Sequence, residues 1–116
     1  MITTQVDTLD GEPPPLAVET VAALVAAVLA GEGTSDGRVQ IVFSNDEQLR
    51  DMQRRFFNRD TYTDVIAFNL NEQGEPLEGE IYISPQRARE NSQEYDEPYE
   101  RELRRLVAHG SLHLLG

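Results

Sequence analysis

The sequence contains no cysteine, no tryptophan and no lysine; all ten of its basic residues are arginine. Without cysteine there is no thiolate zinc cluster, no CxxC redox pair and no cysteine nucleophile, and a disulfide-built secreted module is excluded with them. A reducing cytoplasm suits such a chain. Long apolar runs are also lacking. The longest, "VAALVAAVLA" at 21 to 30, is about half of the roughly 20 residues that a membrane-spanning helix needs, and it lies too deep in the chain for a signal peptide. A soluble cytoplasmic protein with no membrane partner is therefore expected. Positive charge is scarce: 21 acidic residues against 10 basic ones give a formal charge of −11. A field of that sign repels nucleic acid unless the arginines gather on one face.

What is present suffices for a core. A length of 116 residues is close to that of an ordinary domain, which folds without metal or disulfide staples, so one domain over 1–116 is expected. "ITTQVDTL" at the start alternates like an edge strand, and "DGEPPP" at 10 to 15 is an extended connector, because prolines donate no ladder hydrogen bond. From Leu16 to Ala30 apolar residues recur every three to four positions (Val18, Val21, Val25, Val28, broadened by Leu24 and Leu29), a helix that Gly31 ends. "RVQIVF" at 38 to 43 is a half-buried strand. "SNDE" then reads as a capping box, Ser44 with Glu47, opening a helix whose buried stripe is Leu49, Met52 and Phe56.

"TDVIAFNL" at 63 to 70 and "GEIYIS" at 79 to 84 form an antiparallel hairpin around a long polar loop. Ser84 followed by Pro85 starts a helix to about Tyr95, and Pro98 starts another with an apolar stripe of Leu103, Leu106, Val107, Gly110 and Leu114. The fold class is α+β: a small mixed sheet of about four strands packed with four or more helices. No repeat, low-complexity tract or Gly-rich phosphate loop occurs.

Chemistry concentrates at the end of the sequence. "VAHGSLHLLG", residues 107 to 116, holds both histidines, His109 and His113. Four residues apart on a helix, they lie on one face about 6 Å apart along the axis, so both imidazoles are able to point at one ion. The same spacing is compatible with a pair that is merely structural or exposed. Gly110 between them costs about 1 kcal/mol of helix propensity relative to alanine, which suggests that something approaches the helix closely there. Zincins place a general-base glutamate directly after the first histidine; here that position is glycine, so HExxH peptidase chemistry is unsupported.

"HGSLHLLG" resembles the signature of the YbeY family, metal-dependent endoribonucleases that mature ribosomal RNA, whose pattern reads HGxLHLxGxDH. "NRDTYTDVIAF" at 58 to 68 is similar to that family's stretch ending in PTDVLSF, and "EGEIYIS" at 78 to 84 to its LGDIxIS. The three motifs run in the family's order over roughly Val39 to Gly116. The resemblance implies a single-strand-specific endoribonuclease that acts on ribosomal RNA near the small-subunit 3′ end and serves ribosome quality control. It implies one zinc ion, with His109 and His113 as its first two ligands on a helix near the C-terminus.

The third ligand of the pattern would fall three residues beyond Gly116, so the final motif residues are expected outside this sequence. Until they are supplied, two protein ligands leave a weak site, since catalytic zinc generally takes three. Where the family commonly carries an arginine that looks catalytic or RNA-contacting, this sequence has Phe57, which donates nothing to a phosphate. Its neighbours Arg55 and Arg59 are the candidates for RNA contact; the alternative is a solvated helix end that complements the dipole. Asp64 and Glu80 lie in the matching motifs, with a capping or strand-end role equally open. The rival readings are a non-catalytic ribosome-associated binding module and a zinc hydrolase of another class.

Overall fold

The computed structural model describes residues 1–116 except the side chain of Asp10. Among the described residues, four strands and four α-helices follow in the order β1 (Ile2–Thr8), α1 (Val18–Gly31), β2 (Gly37–Phe43), α2 (Asp46–Phe57), β3 (Val65–Asn69), β4 (Leu77–Ile83), α3 (Pro85–Glu94) and α4 (Tyr99–His113). The fold is α+β. The sheet order is β1-β2-β4-β3, parallel between β1 and β2 and between β2 and β4, and antiparallel between β4 and β3. Both β1 and β3 are edge strands.

The register aligns Val6, Ile41, Ile81 and Ala67 across the four strands. With period 2 these residues share one face with Val39, Phe43 and Ile83. That face meets Val21, Val25 and Leu29 of α1 and Leu103, Leu106 and Val107 of α4, and these residues make up the core. The other face carries Gln5, Gln40, Glu80 and Tyr82, and the end of α2 packs on its β3 side through Phe56 and Phe57 against Phe68. No helix of the described residues is long and apolar enough to cross a membrane.

Several local expectations shift by a residue or a turn. In α1 the buried stripe is Val21, Val25 and Leu29, whereas Val18, in the first turn, is exposed beyond the sheet. Gly31 is the last helical residue, and the left-handed position falls to Gly33 at φ 84°. The cap of α2 is Asn45, not Ser44: its side chain accepts from the Gln48 amide at 2.8 Å, while the Ser44 amide is drawn into a bond to the Ile83 carbonyl of β4. Glu47 is thereby free to accept from the Tyr62 hydroxyl at 3.2 Å. Leu49 is fully buried but Phe56 is 62% exposed, because α2 spans only one edge of its sheet face. Ser84 caps α3 as the sequence indicates, accepting from the Arg87 amide at 3.2 Å with Pro85 in the first turn.

Candidate metal centre

The last helix brings the two histidines together. Leu103, Leu106, Val107 and Gly110 turn inward, and Leu114 just past the helix seals the same core against Gly79. His109 and His113 are exposed on the flank of α4 beside that face, next to β3. Their Nε2 atoms stand 2.9 Å apart, one ring N–H donating to the other ring nitrogen, and the ring centroids are 4.3 Å apart. The rings border an open hollow of about 200 Å³ lined also by Thr63, Asp64, Val65, Ala67 and Gly110. Its floor is β3, and its rim is the loop that leads into that strand.

Gly110 explains how the helix lies so low on the sheet. A Cβ there would come within 2.6 Å of Ile81 Cγ2 and 3.2 Å of Val65 Cγ2. What approaches the helix is therefore the sheet, and the helix-weakening residue is the condition for close packing of α4 on β3 and β4. Both imidazoles are exposed.

Asp64 is the carboxylate of the hollow. Its Oδ2 accepts from Asn91 Nδ2 of α3 at 3.2 Å and lies 3.7 Å from a guanidinium nitrogen of Arg105. Asn91 also donates to Glu102 at 3.0 Å, and Arg105 holds Glu102 through two bonds, at 2.7 and 2.9 Å. Glu102 is only 7% exposed. The bonds from Arg105, together with that from Asn91, keep its carboxyl below the ordinary glutamate value despite burial, and Glu102 in turn raises Arg105. Because the folded-state value is depressed, the stability this pair contributes is present above pH 4.5, the ordinary glutamate value. It is lost as pH falls below that through the folded-state value. Glu102→Gln is expected to flatten this part of the acid limb of stability against pH; an unchanged limb in chemical denaturation would rule out the contribution.

Other candidates lie elsewhere. Glu80 points to the far sheet face, where it accepts from the Tyr82 hydroxyl at 3.0 Å; burial and Glu80 raise that hydroxyl's pKa. Arg55, at the end of α2, is exposed and pairs with Asp51 at 3.2 Å. Arg59 follows the left-handed Asn58 that closes α2, its amide donating to the Gln53 carbonyl at 3.1 Å. Neither lines the hollow. Phe57 stacks on Phe68 at 5.9 Å and 15°. Since Phe68 and Ala67 point to opposite faces of β3, the end of α2 stands across this edge strand from the histidines.

The two Nε2 atoms fit one tetrahedral ion. Zinc-bound imidazoles at about 2.0 Å place their nitrogens about 3.3 Å apart, so a ring movement of a few tenths of an ångström converts the hydrogen-bonded pair into two ligands. Among the described residues no group of three or more histidine, cysteine, aspartate or glutamate side chains is disposed to hold a metal.

The family model described as endoribonuclease YbeY matches residues 12–116. The chain belongs to the YbeY family. An endoribonuclease YbeY of Flavobacterium psychrophilum is 39% identical over 92 residues, 79% of this chain and 65% of that protein. That of Geobacillus kaustophilus is 38% identical over 111 residues, 85% of this chain and 71% of the relative. The chain spans 65% and 66% of the length of two of these YbeY relatives, those of F. psychrophilum and Phocaeicola vulgatus. The fold matches the solution structure of TM1509 from Thermotoga maritima with a TM-score of 0.67 and 26% identity, over 98% of this chain and 73% of that one.

Spacing in the sequence marks the histidines, and no motif marks Arg105, Asn91 and Glu102. A signal for Arg105 was there: counting back four residues from His109 along the same helical face arrives at it.

Proposed function

We propose that this YbeY-like domain serves a single-strand-specific endoribonuclease that cleaves ribosomal RNA in the cytoplasm, within ribosomal RNA maturation and ribosome quality control on the small subunit. The observation that supports this most is the convergence of His109 and His113 Nε2 atoms, 2.9 Å apart, on a solvent-facing hollow. Family membership and the endoribonuclease names of the relatives point the same way. His109 and His113 would hold one zinc ion. Bound there, zinc would supply an acidified water near pH 7 and an electrostatic partner for the charge that builds on the phosphate.

The chain's own groups do the rest. Val65, Ala67 and Gly110 form the apolar floor that fixes the height of the imidazoles above the sheet. Asp64, held by Asn91, fixes the rim of the hollow. Arg55 and Arg59 would meet the RNA backbone as it passes the edge of β3, and the exposed rings of Phe56 and Phe57 would offer stacking surface to its bases.

A non-catalytic ribosome-associated module is the second reading, favoured by Phe57 standing where a phosphate donor is expected. Cleavage of a single-stranded ribosomal RNA fragment, assayed with zinc and with chelator on a chain extended by three residues ending in histidine, separates the two. Zinc-dependent cleavage lost in His113→Ala is the expected result. Equal behaviour of the extended wild type and its His113→Ala variant would overturn the enzyme reading, and binding without cleavage would favour the module.

A further inference from the structure

The hollow beside the histidines has a charge problem for a substrate that is an anion. Its one carboxylate, Asp64, faces the space a phosphodiester would enter, and the chain as a whole carries −11. Arg55 and Arg59 stand across β3. Among the described residues, the cation that an ion pair ties to the lining of the hollow is Arg105, with a guanidinium nitrogen 3.7 Å from Asp64 Oδ2.

Three features suit Arg105 to a phosphate. Its place on α4 is one turn before His109 and two before His113, so the three side chains follow one slowly turning stripe. Its guanidinium is bound along one edge by Glu102, through Nε and Nη2, and Nη2 is also the nitrogen nearest Asp64, which leaves the other terminal nitrogen, Nη1, as the free donor. The group is held in place by a buried carboxylate yet its side chain remains 55% exposed. An arginine with one edge fixed and the other open to solvent is preorganised for a phosphate oxygen, because little side-chain freedom remains to be lost on binding.

We propose that Arg105 receives the phosphate of single-stranded RNA at the histidine hollow, with Glu102 as the positioning residue that holds it there. This rests on the endoribonuclease reading above. Arg105 also offsets Asp64, so the hollow presents an incoming phosphate with a balanced pair in place of a bare carboxylate.

The test is binding of a fluorescent single-stranded oligoribonucleotide followed against salt, without metal, so that no cleavage intervenes. Loss of one phosphate contact lowers the slope of log K against log salt by about 0.7 for a single strand. Arg105→Gln is expected to show that decrease with an affinity loss of about tenfold at low salt. The double variant Glu102→Gln with Arg105→Gln preserves the formal net charge and replaces the ion pair by a neutral hydrogen-bonded one. It guards against simple unfolding and is expected to show the same decrease in slope. A purely structural role for Arg105 would weaken binding without changing the slope. An unchanged slope in the folded double variant, with wild type binding RNA, overturns the assignment of Arg105 alone. Absence of RNA binding by the wild type overturns the endoribonuclease reading and the assignment with it.

Discussion

Gly110→Val is expected to lower the stability by about 3 kcal/mol, the upper range for forcing extra atoms into a packed interior. The Cβ alone would sit 2.6 Å from Ile81 Cγ2 and 3.2 Å from Val65 Cγ2. Ile81 is fully buried in the core. Two effects oppose each other at this position. Any residue but proline gains up to about 1 kcal/mol of helix propensity over glycine, and valine gains less than alanine. The clash wins because relieving it requires α4 to rise from the sheet, and α4 carries Leu103, Leu106 and Val107 of the core. Out of a typical total of about 5–15 kcal/mol the loss is a large fraction. Urea denaturation monitored by circular dichroism measures it. Gly110→Ala should fall in the same direction by a smaller amount, and a valine variant as stable as wild type would show that the helix does not rest on Ile81 as described.

His113→Ala is the second large effect, and it separates stability from function. Removing one of two donors is expected to weaken zinc binding on the order of 100-fold, since even partners that only support a ligand commonly account for 10- to 100-fold. His109→Ala should do the same. The imidazoles are exposed, so the melting temperature should scarcely move, as for most surface substitutions, which stay within about 0.5 kcal/mol. Calorimetric titration of zinc beside a thermal melt reads both quantities. A large loss of stability in either variant would mean that the rings are structural, and unchanged zinc affinity would mean that the ion binds elsewhere.

The sequence displayed the sheet and the helices through period alone: alternation in "RVQIVF" and "GEIYIS" and the three- to four-residue recurrence of Leu103, Leu106, Val107, Gly110 and Leu114 are direct imprints of one-sided burial. Boundaries were less legible because they depend on tertiary partners. Ser44 has the right chemistry for a cap, but its amide is claimed by Ile83 of β4, and the cap moves one residue to Asn45. Phe56 has the right spacing for a buried stripe, but whether α2 reaches across its sheet face is a fact of topology. At the candidate site, the histidine pair was legible from spacing on one helix. The link from Asp64 to Asn91, Glu102 and Arg105 was not, since it joins a loop, α3 and α4 across up to 41 residues of sequence. Gly110 was legible as a close approach, and only the fold identifies the approaching body as Ile81.

His109 and His113 are proposed to act together, through Nε2, on a single metal ion. Since the chain has only two histidines, a long-range proton–nitrogen spectrum of the imidazoles, recorded during a zinc titration, reads both rings without ambiguity. Both Nε2 resonances are expected to shift together and to saturate at one zinc per chain, while both Nδ1 resonances keep the character of an unligated ring nitrogen. Rings that stay unchanged while zinc binds, or a single ring that shifts alone, would contradict the account.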